Sequence, residues 1–142
     1  MTEYMPVVLT PDQLRYLYAT LLGFEKALRW VDHLLENGEE VGILYYRRMQ
    51  LDISQRQHGR EIVAQALQEL ASFVQLLGIT PKEEFLDQII VAEMSVSWAD
   101  LVDGRSDRLK GYGEVKPETA AVIDPILDRL SKMAFELSQL LT

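Results

Sequence analysis

Glu39–Gly78 reads EEVGILYYRRMQLDISQRQHGREIVAQALQELASFVQLLG, and the parsing of this stretch decides the fold. Apolar residues recur in it at helical spacing, through Gly42, Tyr46, Met49, Ile53, Val63, Leu67, Leu70, Val74 and Leu77, without a phase slip. That period predicts one helix of about 38 residues, on the order of 57 Å long at a rise of about 1.5 Å per residue. Two positions of the same stripe hold Arg56 and Arg60, inside the polar run Ser54-Gln55-Arg56-Gln57-His58-Gly59-Arg60-Glu61. Gly59 is the candidate break, because glycine costs roughly 1 kcal/mol relative to alanine in a helix interior. No Ser, Thr, Asp or Asn follows it in time to cap a new helix, no proline appears, and the apolar phase resumes at Val63. The expectation is therefore a continuous second helix with a polar waist.

Outward from this segment, two helix starts are written as Thr10-Pro11-Asp12-Gln13 and Thr80-Pro81-Lys82-Glu83. In each, threonine can cap, proline occupies the first helical position, and Gln or Glu can bond back. The first helix is expected from Pro11 to about Glu36, ended by Asn37-Gly38, with Leu14, Leu17, Leu21, Phe24, Leu28, Val31 and Leu35 inward. The third is expected from Pro81 to about Asp103, burying Phe85, Ile89, Ala92, Val96 and Ala99. The last buries Ile123, Ile126, Leu130, Met133, Leu137 and Leu140, and Pro125 should kink it or mark a start after Asp124. Residues 104–116 read as a glycine-containing loop with one short turn near Asp107 to Lys110, and residues 1–9 as an extended arm.

The chain has 142 residues, 48% of them hydrophobic, which suits a single all-α domain over 1–142, four main helices in a bundle. It contains no cysteine, so disulfides, thiolate metal sites and a cysteine nucleophile are excluded. Charges recur throughout, and no apolar run approaches the roughly 20 residues that span a bilayer; a cytoplasmic protein without membrane contact is expected. The loop glycines match neither a P-loop nor a dinucleotide fingerprint. The net charge of −8 opposes binding to nucleic acid.

Sequential helices joined by short connections are antiparallel neighbours. A second helix that outruns both its neighbours leaves apolar surface uncovered, which favours either a broken five-helix monomer or an intertwined dimer; a homodimer is expected. The same register sets Arg60 near Trp98 and Tyr16, and Arg56 near Asp100, Asp103 and Thr20; Glu93, in an apolar context, is the acid most suspiciously placed. Arg56, Arg60, Glu93, Trp98 and Asp100 thus form the candidate site. Inward arginines must be paired, and either internal carboxylates or an anionic ligand would do it.

A second cluster, Arg47, Arg48, Arg105, Arg108 and Lys110, could meet phosphates, with Tyr45 and Tyr46 stacking on bases. The ladder Arg48 to Asp52 to Arg56 is its structural alternative. His33 with Asp32 and Glu36 could hold a lone ion, but a solvated helix end explains them equally, so no metal, cofactor or catalytic residue is assigned. The functional expectation is a homo-oligomeric helical interaction module with a protein partner. Its alternatives are a small enzyme or anionic-ligand binder at the waist, and a nucleic-acid-binding subunit.

Overall fold

A computed structural model describes residues 8–140, so most of the expected N-terminal arm, residues 1–7, lies outside the described residues. Within them the chain is mainly helical, with five α-helices and one two-stranded sheet. It gathers into two compact units, Met1–Pro81 and Lys82–Thr142. Among the described residues no helix is long and apolar enough to cross a membrane.

The first unit is a helical hairpin with a β-arm at its bend. Helix α1, Pro11–Asn37, starts with the expected capping box: the Gln13 amide donates to Thr10 Oγ1 and the Thr10 amide to Gln13 Oε1. It ends at Gly38, whose φ of 77° is the left-handed region that favours glycine. The expected 38-residue second helix is corrected here. Residues 39–52 leave the helix as strands β1, Glu39–Val41, and β2, Tyr46–Arg48, and helix α2 begins only at Ile53 and runs to Leu77.

Pairing explains the correction. In the antiparallel register Glu39 faces Arg48, Glu40 faces Arg47 and Val41 faces Tyr46. Opposite charges directly across a strand pair stabilise it, whereas a helix would separate these partners by about two turns or more. The segment's β-branched and aromatic residues also fit a strand better than a helix. Asp52 then starts α2 afresh by a capping box with Gln55, the Gln55 amide donating to Asp52 Oδ1 at 2.7 Å.

From there the expected register holds. The helix passes unbroken through Gly59, Val63 and Leu70 are buried, and Leu67, Val74 and Leu77 are half-buried. The core of this unit is Leu28, Leu35 and Val63, with Met49, Ala66 and Leu67 packed against it.

The second unit pairs α3, Leu86–Asp103, with α5, Pro117–Ser138, joined through α4, Ser106–Leu109, and a 3-10 turn at Lys110–Tyr112. The expected short turn inside the loop is therefore present. Two boundaries are corrected. The α3 helix starts at Leu86 rather than Pro81, since Lys82-Glu83-Glu84 offer no apolar side chain to hold another turn on the unit. The α5 helix starts at Pro117 and carries Pro125 in its interior, so Asp124 does not mark its start.

The packed faces also differ from expectation. On α5 the buried residues are Ser131, Ala134 and Ser138, small side chains that let helices approach closely, while Ile126, Leu130, Met133 and Leu137, and Leu140 just beyond the helix, are exposed. On α3 the half-buried face is Val91, Met94, Ser97 and Leu101, while Ile89, Ala92, Val96 and Ala99, and Phe85 just before the helix, are exposed.

Candidate functional site

The polar waist lies where α1 ends and α2 begins. Four α-helical carbonyls lack intrahelical donors at a C-terminus, and here Gly38 and Arg56 supply three donors between them. Gly38 donates to Leu34 O at 2.9 Å. The Arg56 guanidinium reaches across from α2, with Nε donating to Leu35 O at 2.8 Å and Nη2 to Glu36 O at 2.9 Å. Because α1 has no basic residue in its own last turn, Arg56 also provides the cation that complements its dipole.

Gly38 fits this arrangement twice over, since a Cβ there would lie 2.9 Å from Arg56 Nη2. One turn further along α2, Arg60 Nε donates to Asp32 Oδ1 at 3.0 Å, and its Nη2 lies 3.7 Å from Glu36 Oε2. The hydrogen bond from Arg60 holds the Asp32 carboxyl below its ordinary value, outweighing the opposing effect of burial.

Gly59 occupies the crossing itself. A Cβ at this position would stand 3.0 Å from Leu35 Cδ1, so the missing side chain is the notch into which buried Leu35 fits. The glycine that looked like a helix breaker is a helix contact.

Arg56 and Arg60 are thus brought together, but with other partners than expected. Arg60 meets Asp32 and Glu36 rather than Tyr16, and Arg56 meets the carbonyls of Leu35 and Glu36 rather than Thr20. The cause is the β-arm: residues 39–52 consume no helical rise, so the first turns of α2, not its middle, meet the end of α1. Glu93, Trp98 and Asp100 belong to the second unit, on α3, where Glu93 and Asp100 are exposed and the Trp98 ring packs on Phe135 with centroids 5.9 Å apart.

The open groove beside the two arginines, about 530 Å³, is also lined by Asp32, Glu36 and Glu61. Its carboxylates outnumber its guanidiniums, and those guanidiniums already donate to the protein. This chemistry disfavours an anionic ligand.

The proposed basic patch is likewise divided and partly neutralised. Arg47 Nη1 pairs with Glu40 at 3.0 Å and its guanidinium covers the Tyr45 ring at 4.8 Å; Arg48 faces Glu39 across the arm. Tyr46 donates its hydroxyl to Glu39 at 3.1 Å, which raises its titration above the ordinary phenol value.

In the second unit Arg105 forms an ion pair with Asp128, while Arg108 and Lys110 are exposed on the connection between α3 and α5. Among the described residues no group of three or more His, Asp or Glu is placed to hold a metal ion. His33 stacks on Trp30, with ring centroids 5.6 Å apart.

Sequence reasoning missed the role of Asp124. It caps α4, receiving the Ser106 amide at 2.9 Å and the Ser106 hydroxyl at 2.6 Å, and the hydroxyl followed by the amide lowers its carboxyl from the ordinary value of 3.8. A carboxylate lowered on folding stabilises the protein above its unfolded value, and that contribution is lost as pH falls through the folded one. Stability should therefore decline below about pH 4. Thermal melts of Asp32→Asn and Asp124→Asn should show a smaller acid-induced drop than the parent; an unchanged drop would place the titrating groups elsewhere.

Comparisons with models of protein families, with curated proteins and with solved structures find no match to this chain.

Proposed function

We propose that this chain is a helical protein–protein interaction module that self-associates as a homodimer, the α3/α5 hairpins of two copies meeting as a four-helix bundle. The observation that carries the reading is α3. Its apolar residues are spread around the helix, between Asp87, Gln88, Glu93, Asp100 and Asp103, yet none of its 18 residues is buried, so apolar side chains on several sides lack a cover. The exposed stripe of α5 supports it, with Val96 on α3 61% and Met133 on α5 55% accessible. Each of these half-covered Leu, Ile or Met side chains would gain roughly 1 kcal/mol from full burial. Further apolar surface is left for a second protein, an adaptor or regulatory role that needs no catalytic constellation.

The test is molar mass by light scattering behind size exclusion. The chain weighs 16.3 kDa, and twice that mass is expected at micromolar concentration. Val96→Glu combined with Met133→Glu, at positions already exposed, should return the mass to one copy without lowering helix content. A parent that stays monomeric at tens of micromolar, with no partner in a pull-down, would remove the basis of the proposal.

A further inference from the structure

The β-arm ends in an apolar apex that the first unit does not cover. Gly42 donates to Tyr45 O at 2.8 Å, leaving Ile43 and Leu44 as the two-residue loop, and their accessibilities are 101% and 95%. Tight two-residue loops favour Asn, Asp or Gly with positive φ, but among the described residues only glycines have positive φ. Ile43-Leu44 therefore satisfies neither turn chemistry nor solvation, and places where local rules fail are expected to be functional. The rest of the arm is built firmly, by the Glu40–Arg47 pair and by the Tyr45 ring lying across Gly42.

The same unit carries a matching receptor. Between α1 and α2 runs an apolar groove of about 430 Å³, lined by Leu21, Phe24, Ala66, Leu70, Phe73 and Leu76. The arm does not fill the groove of its own chain, since both Ile43 and Leu44 stand exposed. From Gly38 to Leu44 it reaches at most about 20 Å at roughly 3.3 Å per residue, whereas Phe24 and Leu21 lie about 21–26 Å back along α1 at ~1.5 Å per residue.

We infer that the arm of one copy docks Ile43 and Leu44 into the α1/α2 groove of a second copy, and receives the second copy's arm in return. This rests on the homodimer reading and specifies one of its contacts. A two-fold axis midway between apex and groove satisfies both dockings at once, because an isologous interface repeats every contact. Ile43 and Leu44, both fully exposed, at roughly 180 Å² apiece, with an equal area of groove and doubled by symmetry, bury about 1,400 Å², within the range of stable interfaces.

The natural absence of cysteine permits a clean test in the full chain. Ile43→Cys with Leu76→Cys, both at exposed positions, should form a disulfide-linked dimer under mild oxidation, which neither single variant forms. Ile43→Asp with Leu44→Asp should weaken dimerisation about a hundredfold or more, two buried aliphatic side chains being lost, with the helix content of the parent. A dimer that forms without the crosslink and ignores the aspartates overturns arm exchange while leaving the homodimer standing. A parent that is monomeric removes both.

Discussion

Replacing Gly59 with valine is expected to destabilise the first unit by about 3 kcal/mol, the upper end of the range for overpacking a core. Leu35 is only 8% accessible and is packed with Leu28 and Val63, so it cannot withdraw from a Cβ that would sit 3.0 Å from its Cδ1. The two helices must separate instead. The melting temperature should fall by on the order of 10–20 °C for a unit of this size.

Two companions identify the cause. Gly23→Ala, in the interior of α1 with nothing within 4 Å of the new Cβ, should stabilise by roughly 1 kcal/mol through helix propensity alone. Leu35→Ala is costly by itself, but combined with Gly59→Val it should cost less than the two changes added, by about 1 kcal/mol or more. Strict additivity in denaturant melts would show that the Leu35 notch is not what limits position 59.

Arg56→Ala should cost about 2 kcal/mol, because it removes charge-assisted donors from two carbonyls at the end of α1. Lysine should restore less than half of this. Its ammonium is a point charge, while the guanidinium offers a planar fork matched to two separated acceptors. The loss should also be local at first. Met49 donates to Gly38 O, which ties the base of the β-arm to the end of α1, so amides of the arm and of the last turn of α1 should exchange faster before the rest of α2 does. Uniform acceleration along α2 would assign Arg56 a global role rather than a capping one.

How much of this was legible in the sequence differs between the two units. In the first unit, the α1 stripe and capping box were readable, because each signal is local and the apolar residues keep to one face. The stripe of α2 from Val63 onward was readable for the same reason. Its start was also written down, as Asp52-Ile53-Ser54-Gln55, but the helical spacing running through Tyr46 and Met49 masked it. Over so short a segment an apolar run fits a strand as well as a helix. The decisive signal there was charge order, Glu39-Glu40 against Arg47-Arg48, which becomes favourable only when the chain turns back on itself.

The second unit was less readable. Helix α3 carries apolar and polar residues on every side, so its period does not select a face. On α5 the small residues Ser131, Ala134 and Ser138 won the close contact over a larger apolar stripe. That outcome depends on how near two backbones can come, a quantity absent from any pattern of hydropathy.

The sequence by itself determined the mainly helical character, the extent of the first helix and the continuity of the second through Gly59, since caps and periodicity act within a few residues. Only the tertiary structure decided what the waist is for. Arg56 and Arg60 acquire their partners from a helix end some twenty to thirty residues earlier in the chain, and which turn of α2 arrives there depends on the fourteen residues that form the arm instead of helix. The physical reason is that the spacing of a stripe is a local property, whereas its register against a neighbour accumulates every residue between them.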